Sequence, residues 1–177
     1  MNEEKNVDRI RAAIDETDDG ILKFIERRLE LACEMAAAKP RGQGHSPLRP
    51  ARESAILERL NQKAVSASTG LIEIIWRELI GQGRQAQGPM QLILFAREDP
   101  SLVEECARRH FSSAMPVEWA ESRETALKAA REHPVIAVLD VRVEDPDLTP
   151  LGAIKTSAGE TIGFAFARIS VEDKLQG

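Results

Sequence analysis

Residues 7–39 read VDRIRAAIDETDDGILKFIERRLELACEMAAAK, and this stretch decides the fold. Positions 7, 10, 14, 17, 21, 24, 28, 31, 35 and 38 are Val, Ile, Ile, Thr, Ile, Phe, Arg, Leu, Met and Ala. Apolar residues at alternating steps of three and four mark a helix with a continuous seam. At 1.5 Å per residue the helix is roughly 48 Å long. Lys39-Pro40 and the glycines at 42 and 44 end it in a loop. Pro50 suits the first turn of a second helix, which runs on to Ala64 through Glu53, Ile56, Leu57 and Leu60. After a turn over 66–70, a third helix carries Ile72, Ile75, Trp76, Leu79, Ile80, Gly83 and Gln87. Gly81 and Gly83 each cost it about 1 kcal/mol relative to alanine, so its last turns are expected to fray. The first helix is too long for a lone three-helix core. Its seam overhangs two short partners, and a second copy of the chain is the simplest cover.

The character of the sequence changes at Gly88-Pro89. Beyond it, short β-type runs alternate with helical segments: strands at 91–96, 116–119, 135–141 and 161–169, helices at 101–110 and 122–132. This pattern predicts a small, partly parallel sheet with right-handed crossovers. The expected organisation is an all-helical domain over 1–88 and a small α/β domain over 89–177.

Composition sets limits on function. The 177 residues carry a net charge of −5 and a pI near 5.4, without the basic surplus usual in nucleic-acid binders. No apolar run approaches the ~20 residues of a membrane span, and the charged start lacks a secretory h-region. A cytoplasmic protein is expected. Cys33 and Cys106 stand far apart with no zinc or redox spacing, and read as buried or half-exposed thiols. Asp140, Asp145 and Asp147 suit a solvated turn around Pro146 better than a metal site. His110 reads as structural, at a helix end where cations favour the dipole. The 155–159 loop reads as surface.

Arg28 breaks the apolar seam. A guanidinium there requires an anion, either an acid of the same chain such as Glu53 or a bound ligand. Lys39, eleven positions later, returns to nearly the same face about 16 Å along the axis, leaving room for a small anion between the two side chains. Arg11 lies on the same stripe but about 42 Å from Lys39, so the two meet one small ligand only across an antiparallel pair of chains. Arg52 and Glu53 precede the apolar positions of the second helix, and Gln87 extends the Trp76–Ile80–Gly83 line of the third.

With these residues placed, Ile10–Asp18, Glu26–Ala32, Ala36–Lys39, Pro50–Glu53 and Ile75–Ile80 followed by Gln87 resemble the all-helical (AroQ-class) chorismate mutase family over residues 6–88. The resemblance implies a three-helix fold in an intertwined homodimer, with two sites each completed by an arginine of the other subunit. It implies rearrangement of chorismate to prephenate, on the route to phenylalanine and tyrosine. Arg28 and the other subunit's Arg11 would hold the two carboxylates, Lys39 and Gln87 would face the ether oxygen, Glu53 would meet the ring hydroxyl, and Arg52 would position that end. Such a unimolecular rearrangement needs no metal or cofactor, only a clamp on the folded conformer and donors where charge grows. Two positions depart from the family pattern: Arg49 where an acid is common, and Gly83 where serine is common. They bear on turnover and substrate choice. Isochorismate pyruvate lyase and aminodeoxychorismate mutase are alternatives on the same fold, and a non-catalytic sensor of chorismate or prephenate is a third. Residues 89–177 resemble, weakly, a shortened prephenate-dehydratase-type domain without its Thr-Arg-Phe signature, and no dehydratase activity is expected.

Overall fold

The computed structural model describes residues 2–38 and 48–169. Three helices come first: α1 (Asn2–Ala38), α2 (Pro50–Lys63) and α3 (Thr69–Gln87). The α/β half follows as β1 (Gln91–Phe95), α4 (Pro100–Phe111), β2 (Val117–Trp119), α5 (Arg123–Glu132), β3 (Val135–Leu139), β4 (Thr149–Lys155) and β5 (Thr161–Ala167). No helix among the described residues is long and apolar enough to cross a membrane.

Local chemistry sets the boundaries. Pro50 opens α2, and Ser68 caps α3 by accepting from Leu71 N, so helix begins at Thr69 inside the expected turn. α1 begins five residues before the predicted start, and Lys39 lies outside the described residues. α1 packs along α3, and α2 against α3.

The sheet order is β2-β1-β3-β5-β4. β1 pairs in parallel with β2 and β3, while β5 runs antiparallel to both β3 and β4. The chain moves from β1 to β2 and back across to β3, and α4 and α5 pack on opposite faces, as the right-handed rule for parallel crossovers requires. Side-chain alternation feeds both faces. Leu92, Leu94, Ile136 and Val138 join α4 residues Val103, Cys106 and Phe111 in one core. Ile93, Ala137, Leu139 and Phe166 join α5 residues Ala126, Leu127 and Ala130 in the other. β4 was not expected. β3 and β5 each end two residues before their predicted limits. The predicted aspartate turn instead holds an ion pair, Arg131 to Asp145, whose second oxygen accepts from Asp147 N.

The two halves meet along α3. Arg77 Nη1 donates to His110 O at 3.0 Å, and Gln85 Nε2 to Met90 O. Glu78 accepts from Ser112 Oγ, Ser113 N and Ser113 Oγ, each at 2.9 Å. Leu48, just before α2, is buried in the core of the sheet half, so the packing crosses the Gly88-Pro89 junction. The expected fraying of α3 does not occur. Gly81 and Gly83 are both buried, and helix continues to Gln87. Gly81 is there for close approach: a Cβ on it would stand 2.1 Å from Ser112 Cβ. His110 also departs from expectation. Burial first, then Arg77 and Arg84, lowers its pKa to about 4, so at neutral pH it brings no charge to the end of α4.

Gly81→Ala should therefore destabilise the chain. Its helix-propensity gain of about 1 kcal/mol is opposed by overpacking of about 1–3 kcal/mol against the Ser112 turn. Urea denaturation at pH 7 should show a lower midpoint for the variant. Glu78 gives an acid dependence. Burial opposes its ionisation, but the hydrogen bonds from Ser113 and Ser112 outweigh this and hold its pKa below the usual 4.5. A lowered folded-state pKa gives stability that is present above the ordinary value and lost as pH falls through the folded one. In urea midpoints measured from pH 6 down to pH 3, Glu78→Gln should be less stable than the parent at pH 6 and lose less on acidification.

Candidate active site

Three helices wall a cleft of about 690 Å³. From α1, the i, i+3, i+4 and i+7 positions Arg28, Leu31, Ala32 and Met35 share the face that lines it. From the start of α2 come Arg49, Arg52 and Glu53, with Arg59 further along. From α3 come Trp76, Ile80, Gly83, Arg84 and Gln87, one stripe at helical spacing. Among the described residues, five arginines and a single carboxylate thus surround a cavity whose other walls include Leu31, Met35, Trp76 and Ile80. Such a site favours a small molecule with an apolar body and more than one negative charge.

Arg28 is half-buried, and its Nη1 donates to Leu79 O on α3. Its partner within the chain is therefore a carbonyl and not Glu53, one of the acids considered from the sequence. Burial lowers the Arg28 pKa, yet a guanidinium remains charged. Gly83 brings α1 and α3 close together at this point: a Cβ there would lie 3.3 Å from Ala32 Cβ and 3.7 Å from Arg28 Nη1. A side chain at 83 would therefore crowd the Arg28 head. Gln87 Nε2 donates to Gly83 O at 3.0 Å, back along its own helix.

Glu53 faces Arg84, with Oε1 3.5 Å from Arg84 Nε. Burial raises the Glu53 pKa, and the opposing pull of Arg84, the hydrogen bond with the Arg49 backbone and the charge of Arg77 only partly offset it. Arg84 is 3% exposed. Its Nη2 donates to Phe111 O at 2.9 Å, its Nη1 reaches Met115 Sδ at 3.8 Å, and its Cζ lies 5.9 Å from the centre of the Phe111 ring.

Of the residues singled out from sequence, Arg28, Arg52, Glu53, Gly83 and Gln87 come together at this cleft. Lys39 lies outside the described residues. Arg11 does not join them. It is exposed, paired with Asp8 at 3.3 Å, and seventeen residues before Arg28, about 26 Å along the helix. Sequence reasoning missed Arg84. The signal was present, since Arg84 stands four positions after Ile80 and three before Gln87, a cation on the inward stripe of α3 just as Arg28 is on α1.

Residues 10–88 match the family model of chorismate mutase type II. The match takes in α1 from Ile10, all of α2 and α3 and the described lining of the cleft, a little under half of the chain, and stops at Gly88, just before β1. No curated protein and no solved structure matches the chain.

Proposed function

We propose that the chain is a chorismate mutase, an isomerase that rearranges chorismate to prephenate for phenylalanine and tyrosine synthesis by clamping the dianion. The observation that carries this reading is the cleft of five arginines around one carboxylate, lying wholly within the segment that matches the family. Chorismate has two carboxylates, a ring and a ring hydroxyl, which answers to the arginines, the apolar walls and Glu53. Arg28 takes one carboxylate and Arg52 steadies the ring end. Lys39 and Gln87 stabilise the charge that develops on the ether oxygen.

The second carboxylate needs Arg11, and distance along α1 requires that it come from another copy. The exposure of the α1 seam supports this. Val7, Ile10, Ile14, Ile21, Phe24, Leu31 and Met35 are all exposed, Phe24 at 79%, as are Leu71, Ile74 and Ile75 on α3. An apolar stripe of this length on a charged helix is the signature of a covered surface. A homodimer of intertwined α1 helices covers it and brings Arg11 to the other copy's cleft. Residues 1–88 form the mutase domain and residues 89–177 a second unit packed on α3. Sensing without turnover is the second reading, favoured by the absence of a hydroxyl at Gly83.

Loss of chorismate absorbance with purified protein, and acid conversion of the product to phenylpyruvate, should report turnover. Chorismate binding without loss of absorbance would select the sensor, and turnover of isochorismate or of the amino analogue in place of chorismate would select the lyase or the amino-analogue mutase. Arg28→Ala and Arg11→Ala should each lower kcat/KM by about 100-fold or more. Mixing the two variants should restore activity, because one site of the heterodimer keeps both arginines. No recovery, with subunit exchange demonstrated, would rule out a shared site.

A further inference from the structure

Arg84 is a cation of the cleft that is anchored in the α/β half. It sits on the mutase side of the Gly88-Pro89 junction, yet its fixed partners, Phe111 O, Met115 Sδ and the Phe111 ring, all belong to α4 and the turn after it. Those groups are themselves held. Ser112 lies against Gly81, and Glu78 bonds Ser112 and Ser113. The guanidinium is thus fixed from behind, with its Nε 3.5 Å from Glu53 Oε1.

The contact with Glu53 is unusual in kind. Arg84 Nε is fully buried and makes no hydrogen bond, although Glu53 Oε1 lies only 3.5 Å away. The pair is therefore joined by charge without a directed bond. Glu53 thus has a cation beside it that does not take up an acceptor lone pair in a directed bond.

We infer that Arg84 is a positioning residue through which the α/β half holds Glu53 in its ligand-binding state, so that residues 111–115 are a working part of the mutase cleft. This rests on the reading of Glu53 as the group that meets the ring hydroxyl. Burial alone pushes Glu53 toward its neutral form, and Arg84 is the largest opposing influence. Among the described residues, the other charged groups around it are Arg28 on α1, Arg49 just before α2, Arg52 and Arg59 on α2, and Arg77 on α3. His110 on α4, with its pKa near 4, is neutral at working pH and does not replace Arg84. Removing the Arg84 charge therefore raises the Glu53 pKa, whereas a lysine that keeps the charge largely preserves it.

The test is carbon-13 NMR titration of the glutamate carboxyls in the full-length protein, with the Glu53 signal assigned by its loss in Glu53→Gln. In Arg84→Met the Glu53 midpoint should rise by about one pH unit or more, and Arg84→Lys should stay near the parent. The acid limb of kcat/KM for chorismate should move with it, a response that a merely structural residue would not give. An unmoved midpoint in folded Arg84→Met overturns the inference. If Arg84→Met does not fold, the double variant Phe111→Leu/Met115→Leu loosens the guanidinium without removing it. A smaller rise then supports the inference, and no rise overturns it. If the midpoint moves as expected while the parent protein turns over no chorismate, the coupling stands and the mutase reading fails.

Discussion

The closeness of α3 to the turn after α4 is the constraint on which the rest of the molecule depends. At Gly81 the helix has no side chain, and the Ser112 side chain occupies the space a Cβ would need. This approach lets Glu78 reach two serines and lets Arg77 and Arg84 donate to the last carbonyls of α4. Those carbonyls are ones an α-helix leaves without partners, so the arginines of α3 satisfy groups that would otherwise need water. A single helix therefore has two jobs. Its inner stripe lines the cleft, and residues 77–85 fasten the sheet half behind it.

Much of the architecture was legible because it follows from periodicity. The seam of α1 and the β-branched run at 135–139 each have one physical reading, a long packed helix and a strand buried on both faces. Two features were not legible, for different reasons. Thr149–Lys155 contains Pro150 and Gly152, which argue against a strand in the middle of a sheet. β4 lies at the edge, where proline is tolerated, and its pairing with β5 shifts register between Pro150 and Gly152. The end of α3 was misjudged because a helix-propensity cost can be counted from sequence, whereas the packing gain that offsets it depends on a residue thirty-one positions away, Ser112.

The site shows the same division. Residues that interrupt an apolar pattern, such as Arg28, can be found by their misfit, and the structure gathers five of the seven singled-out residues at one cleft. The partners of these residues could not be read. Arg28 meets a carbonyl, which every residue carries and no sequence pattern marks. Glu53 meets Arg84, thirty-one positions further on, and that cation is fixed by main-chain and sulfur atoms of the other half. Sequence identifies the groups that need an answer, and only the fold identifies what answers them.

The two cysteines give the molecule a pair of chemical clocks. Cys33 is exposed on α1 and belongs to the same helix as the apolar seam, while Cys106 is buried in the sheet core, where burial raises its thiol pKa. A thiol-directed reagent therefore modifies Cys33 at a rate set by access to the outer face of α1. It modifies Cys106 only as often as the sheet half opens. The ratio of the two rates follows, in one untagged chain, the breathing of the core behind the cleft against a thiol that stays open to solvent.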